Sequence, residues 1–468
     1  MHLRPLSLML IALCTTSVGI VACSGSNQQA AHDDTVLTSK TPYQPRQDVS
    51  AYTPVPAGYQ IVMLQHVARH GSRGLSSADD DDLMLQLWQQ AEAEDALTSL
   101  GEQLKSALDA MLNVHKRLGY GEISTLGRQE HAQMASRIVQ RHEDLFSAEV
   151  DPDRSILVTH SGRSRAAQSG EAFVAQLVAE QPHLAARIQP AYASPETVYF
   201  HKAEGSEGYD DYRDNDPRLV AAMAQIEAGD KTRRVAEEAL SRLFTDDFVA
   251  RLQAGQYSFS AHADDEDQIN DELDALFALH GLYSIAPNLT ADADIDMTPF
   301  LLPEHASWLA YVDDADSFYG RGPGFVGEDI TYRAADALFM EMFAQIDEFQ
   351  RASSSAPLAS LRFTHAQVTM PIATWLQLAD TENSVEPDTL YTYETNPWRA
   401  AVISPMSANV QWEIYATDMD SELLVRMLHN EAEVPFPAEC SALESGSYFY
   451  PYSEIKRCLG EIHNLEFN

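Results

Sequence analysis

A short apolar run, Ile61 to Leu64, is followed at once by Gln65-His66-Val67-Ala68-Arg69-His70-Gly71-Ser72-Arg73. The run reads as a buried strand, so the polar residues after it emerge where that strand ends. A second such run, Ser155 to Thr159, feeds a helix from Ser164 to about Gln181. A third, Leu361-Arg362-Phe363, ends at Thr364-His365. Strand, helix and strand in this order predict an α/β fold, a mostly parallel sheet flanked by helices. In open sheets of this kind ligands bind beyond the carboxyl ends of the strands. The fold would therefore gather Arg69, His70 and Arg73, the arginines of Thr159-His160-Ser161-Gly162-Arg163-Ser164-Arg165, and His365 into one site.

Such a site suits a phosphate ester. An imidazole can attack phosphorus, and guanidiniums hold phosphate oxygens in a bidentate fork. Glycine after His70 lets the backbone turn without a side-chain clash. The cluster stands against a strongly acidic background, with net charge −39 from 70 acidic and 31 basic side chains. That balance argues against a nucleic-acid partner, which calls for a basic face, and reads as a solvated surface. An anionic substrate then depends on local arginines. The sequence carries no signal of oligomeric state.

Around these segments, Asp79 to Asp82 open an amphipathic helix through Leu83, Leu87 and Trp88. Further helices are expected from Thr98 to Leu118 and from Leu126-Gly127 onward. Residues 182–304 read as a mainly helical cap inserted into a catalytic core of 57–181 and 305–468. Ala400 to Ile403 and Val410 to Tyr415 read as a strand pair, and Leu423 to Leu428 as another strand. Asp292, Asp294 and Asp296 begin like a calcium loop, but Met297 and Pro303 stand where its glycine and glutamate belong. They read as an acidic loop, and no metal site is expected. His66 reads equally as lining the site or packing beneath it, and His160 and Arg163 as touching substrate or solvated.

The N-terminus is a targeting segment. His2 and Arg4 precede an apolar stretch that ends Ile20-Val21-Ala22-Cys23. Small residues before a cysteine resemble the lipobox of bacterial lipoproteins. This implies a signal peptide over 1–22, lipidation of Cys23, export, and an outer-membrane location reached only through that anchor. The alternative is an ordinary secretory signal cut nearby. Residues 23–56, polar and rich in Ser, Gln, Thr, Asp and Pro, read as a flexible tether. With Cys14 in the signal and Cys23 lipidated, Cys440 and Cys458 remain. Outside the cytoplasm they are expected to pair, adding roughly 3 kcal/mol; two free thiols are the alternative.

Arg69-His70-Gly71-Ser72-Arg73 matches the R-H-G-x-R signature of the histidine acid phosphatases. Arg165, with Ser169 to Phe173, resembles that family's second phosphate-binding arginine and the helix after it. Thr364-His365-Ala366-Gln367 stands where the family has its second histidine. The H-A pair is similar to the H-A-E of multiple inositol polyphosphate phosphatases, as are Leu126 to His131 and Asp313 to Tyr319. The resemblance covers about 58–460. It implies a phosphomonoesterase without cofactor or metal, acting on a phosphorylated small molecule such as phytate. His70 would be the nucleophile, and Arg69, Arg73, Arg165 and His365 the phosphate ligands. Runner-up readings are a broad acid phosphatase on sugar phosphates, and a phosphate-ester-binding lipoprotein with little turnover. The chain departs from the branch at the proton-donor position, where Gln367 replaces glutamate. An amide is no general acid. Three readings follow: a carboxylate among Asp313, Asp314 and Asp316 takes the role, a weaker donor acts through water, or the protein binds without efficient turnover.

Overall fold

The first strand, β1 (Gln60–Arg69), lies in the middle of an eight-stranded sheet. The computed structural model describes residues 34–151, 153–261, 268–351, 354–379, 381–417 and 422–467. After β1 come α1 (Asp79–Ala93), α2 (Ser99–Leu118), α3 (Thr125–Arg141), β2 (Ile156–His160), α4 (Ser164–Glu180) and the short strand β3 (Tyr192–Ala193). A helical stretch follows with α5 (Pro195–Val198), α6 (Glu207–Asn215), α7 (Pro217–Glu227), α8 (Asp230–Leu240) and α9 (Asp246–Gln253). It continues through an antiparallel pair, β4 (Phe259–Ser260) and β5 (Gln268–Ile269), to α10 (Glu272–Ile285), α11 (Pro303–Arg321) and α12 (Asp336–Arg351). The sheet resumes with β6 (Ala359–Thr364), α13 (Ala366–Trp375), α14 (Ala400–Ile403), β7 (Asn409–Ala416), β8 (Leu424–His429), β9 (Ala432–Val434) and β10 (Phe449–Pro451), before α15 (Tyr452–His463).

The strand order is β10-β8-β7-β1-β6-β2-β3, with β9 beside β8. The α/β architecture with flanking helices is as expected, but the sheet is mixed rather than mostly parallel. β1, β6, β2 and β3 pair in parallel, whereas β7, β8, β9 and β10 join antiparallel. The link after Ala416 is too short for a crossover helix, so β8 returns alongside β7. Side chains alternate along β1. Met63 and Val67 pack with α11, α12 and α13 on one face, and Leu64 and Ala68 with α3 and α4 on the other. Register then sets the site: Arg69 lies opposite Thr364, and His160 opposite Phe363. The carboxyl ends of β1, β6 and β2 are level, and the residues that follow them share one rim.

Three further expectations need correction. Residues 34–56 are no tether. Val36, Leu37 and Tyr43 are buried, Arg46 N donates to Asn430 O and Thr53 N to Glu433. A polar segment can be ordered when its backbone satisfies buried acceptors, which composition does not reveal. The stretch 1–33, including Cys23, lies outside the described residues. Second, the helical layer is not 182–304 alone. Leu87 and Met111 of α1 and α2 share a core with Leu240, Phe248 and Leu279, α11 and α12 extend the helical stretch to Arg351, and β3 belongs to the main sheet. Two distant excursions cover each other's apolar faces. Third, Ala400–Ile403 is one helical turn. Both edges of β7 are taken by β1 and β8, which leaves no place for it as a strand. The Cys440–Cys458 disulfide is formed.

Candidate active site

The turn after β1 is held by a direct backbone approach. A Cβ on Gly71 would lie 2.5 Å from Gly127 O, and one on Gly127 would lie 2.2 Å from Ser72 O. Gly71 is therefore required for contact with the first turn of α3 rather than for a special dihedral angle. Glu130, one turn further along α3, is buried beneath the loop. Its carboxylate accepts from Ser72 N at 2.8 Å, Ser72 Oγ at 2.6 Å, Ser407 Oγ at 2.8 Å and Tyr43 N at 3.0 Å. Ser169 Oγ of α4 accepts from Gly71 N at 3.0 Å.

This frame orients His70. Its Nδ1 lies 3.0 Å from Gly71 O. A carbonyl only accepts, so Nδ1 carries the proton and Nε2 keeps its lone pair. Burial, then Arg69, His365, Arg165 and Arg73, hold the imidazole well below its usual pKa, so it stays neutral and nucleophilic. The His365 ring is 5.2 Å away, centroid to centroid. Its Nε2 lies 2.7 Å from Ser161 Oγ, which also accepts from Arg163 N. Ser161 Oγ thus holds the ring through Nε2, and Nδ1 of His365 is buried without a hydrogen-bond partner among the described residues. Burial, followed by Arg165 and His201, pushes His365 down as well.

Arg69, Arg73 and Arg165 join His70 around a cavity of about 210 Å³. Burial and the neighbouring guanidiniums lower Arg69 to about 9, and burial with Arg165 lowers Arg73 to about 10. Arg69 donates to Ser39 O and Ser404 O, and Arg73 to Gly74 O. Among the described residues the Arg165 guanidinium has no protein acceptor, and its Nε is buried and unpaired. Crowded, mutually repelling cations with spare donors form a built anion site.

Gln367 lines this cavity, as do Asp313 and Asp316. Asp314 does not: it is buried and accepts from Tyr393 Oη at 2.7 Å and Ala400 N at 3.1 Å. His66 packs beneath the site against Phe173 and Phe363. His160 and Arg163 lie outside the cavity. His160 accepts from Gly162 N, and Arg163 donates to Tyr199 Oη. Asp292 binds the start of α3 through Thr125 N and Oγ1, and Asp296 accepts from Thr298. That loop is structural, and no metal-binding cluster occurs among the described residues. Sequence reasoning missed Thr38, Ser39 and Lys40, which cross the cavity from the segment taken for a tether, and Arg321 at the end of α11. It also missed Ser161 as the partner of His365 and Glu130 as the support of the loop. The apolar pair Val36-Leu37 was the available signal that the tether folds.

The profile of the histidine phosphatase superfamily (branch 2) matches residues 60–430. Among solved structures, the chain is similar to the Bifidobacterium longum multiple inositol polyphosphate phosphatase in complex with inositol hexasulfate. Identity is 29%, coverage 92% of this chain and 98% of that one, and the TM-score 0.84. For the same enzyme in complex with phosphate, identity is 28%, the coverage 92% and 98%, and the TM-score 0.85. The phytase from D. castellii shares the fold at 15% identity, with 95% and 90% coverage and a TM-score of 0.64. With an Arg-His-Gly turn at the end of its central strand and a family match over most of its length, the chain belongs to branch 2 of the histidine phosphatase superfamily and is a phosphatase.

Proposed function

We propose that the protein hydrolyses inositol polyphosphates such as phytate through a phosphohistidine on His70. The carrying observation is the free Nε2 of a neutral His70 beside Arg165, whose guanidinium has no protein acceptor among the described residues. Nε2 attacks phosphorus in line with the ester oxygen. Arg69, Arg73, Arg165 and His365 bind the equatorial oxygens and stabilise the charge that spreads over them. Water then attacks the phosphohistidine and releases phosphate. The guanidiniums supply the charge stabilisation, so the reaction calls for no metal or cofactor. The likeness to an inositol polyphosphate phosphatase solved with inositol hexasulfate supports the substrate class.

Gln367 favours a second reading, a lipoprotein that binds phosphate esters with little turnover. The test is phosphate release from phytate, glucose phosphate and p-nitrophenyl phosphate, in EDTA, by wild type and His70→Ala. Release from phytate that vanishes in the variant is expected. Release from glucose phosphate alone would sink the inositol reading, and micromolar binding without any phosphoenzyme would favour the binding one. We further propose export and lipidation at Cys23. The paired Cys440 and Cys458 fit an oxidising compartment, and among the described residues no helix is long and apolar enough to cross a membrane. Cys23→Ser should move the protein from the membrane to the soluble fraction, and unchanged partition would refute the anchor.

A further inference from the structure

A phosphohistidine mechanism needs a proton for the departing alkoxide, and Gln367 has none to give. Two carboxylates among the described residues line the His70 cavity, Asp313 and Asp316, both on α11. Asp316 is occupied. Its Oδ1 accepts from Arg213 and its Oδ2 from Arg321, each at 2.9 Å. Burial would raise its carboxyl, but Arg321 and Arg213 outweigh that and hold it below the usual range. Asp314 points into the core, away from the cavity, as one residue's step around a helix requires.

Asp313 remains. Its side chain is about one-third exposed, at 34%, and its two contacts are long. Thr38 Oγ1 lies 3.3 Å and Lys40 Nζ 3.5 Å from Oδ2. The carboxyl is positioned without being locked. The strap that positions it is strained: Thr38 has φ 51° and ψ −134°, a backbone state costly for a β-branched residue and concentrated at functional sites. The charged and titratable groups that feel the Asp313 charge are Lys40 from the strap, Glu227 of α7, His280 of α10, and Asp314 and Arg321 of its own helix.

We propose that Asp313 is the acid and base of the reaction, in place of the residue at position 367. The inference rests on the phosphohistidine reading above. In the first half-reaction the His70 Nε2–P bond forms, the P–O ester bond breaks, and the Asp313 carboxyl proton passes to the leaving alkoxide. In the second, water oxygen bonds to phosphorus, the N–P bond breaks, and the water proton returns to the Asp313 carboxylate. Lys40 and Thr38 are positioning residues that keep the carboxyl over the cavity.

The test compares phytate, whose alkoxide must be protonated, with p-nitrophenyl phosphate, whose phenolate leaves readily. Asp313→Asn should slow phytate about 100-fold or more and p-nitrophenyl phosphate by far less. Gln367→Glu added to Asp313→Asn should restore phytate turnover by supplying a second carboxyl. Selective loss with rescue is a signature that mere disturbance of the strap does not produce. Asp313→Asn acting at the wild-type rate on phytate, or slowing both substrates equally without rescue, would overturn the assignment alone. A wild type inactive on both substrates, or activity that survives His70→Ala, would overturn the phosphohistidine reading and this inference with it.

Discussion

Replacing Glu130 with Gln isolates the support of the catalytic loop. Four donors converge on that carboxylate, the backbone N–H groups of Tyr43 and Ser72 and the hydroxyls of Ser72 and Ser407. Each oxygen takes one backbone N–H and one hydroxyl. Whichever way the Gln amide turns, its NH2 faces one of the two backbone donors. The hydroxyl on that side can rotate and accept instead; the backbone N–H cannot. One buried N–H left unsatisfied costs about 1–3 kcal/mol. Loss of charge on the two remaining bonds costs roughly 1 kcal/mol each, since charge-assisted bonds are about twice as strong as neutral ones. The expected destabilisation is about 3–5 kcal/mol, read from urea unfolding followed by tryptophan fluorescence. Because His70 and Gly71 lead into the same loop, kcat/KM on p-nitrophenyl phosphate should fall about 10- to 100-fold in fully folded protein. A variant within about 1 kcal/mol of wild type with unchanged kcat/KM would refute the argument that this carboxylate places His70.

Gly127→Ala drives a methyl group to within 2.2 Å of Ser72 O, so α3 must retreat from the loop; we expect about 1–3 kcal/mol of destabilisation and loss of most activity, and a wild-type urea midpoint would contradict this. Ser161→Ala removes the contact that holds the His365 ring and should lower kcat about 10-fold; an unchanged rate would mean that the hydroxyl does not orient the ring. Burial above all holds His66 and His131 at about 3, below the unfolded value of about 6.5, so below pH 6.5 the unfolded chain binds more protons than the native one. Stability should therefore fall with falling pH, by about 1.4 kcal/mol per unit for each ring until the folded pKa is reached. Asp314, raised to about 7 chiefly by burial, runs the opposite way, so the check is a difference: between pH 7 and 5, His131→Phe should lose less unfolding free energy than wild type, and an equal loss would refute the assignment.

Much of the centre was legible because its chemistry is local. Arg69, His70, Gly71 and Arg73 follow directly on an apolar strand, and the starts of α2 and α4 lie within one residue of where pattern placed them. The helix expected from Thr98 begins at Ser99, with Thr98 as its cap. The third strand and His365 were found the same way. What was misread involves segments whose partners are far away in sequence. Residues 34–56 look like a tether until Glu130, Glu431 and Glu433 supply their acceptors, and Ala400–Ile403 looks like a strand until β7 proves paired on both sides.

The chain alone determined the class of fold and the family, since hydrophobic period and motif are properties of neighbours along the backbone. Only the tertiary structure decided the mixed sheet, the two-part helical layer, the proton position on His70, and which aspartates of α11 line the cavity. Those depend on register, burial and the direction of single hydrogen bonds between residues up to hundreds of positions apart, and no local pattern encodes them.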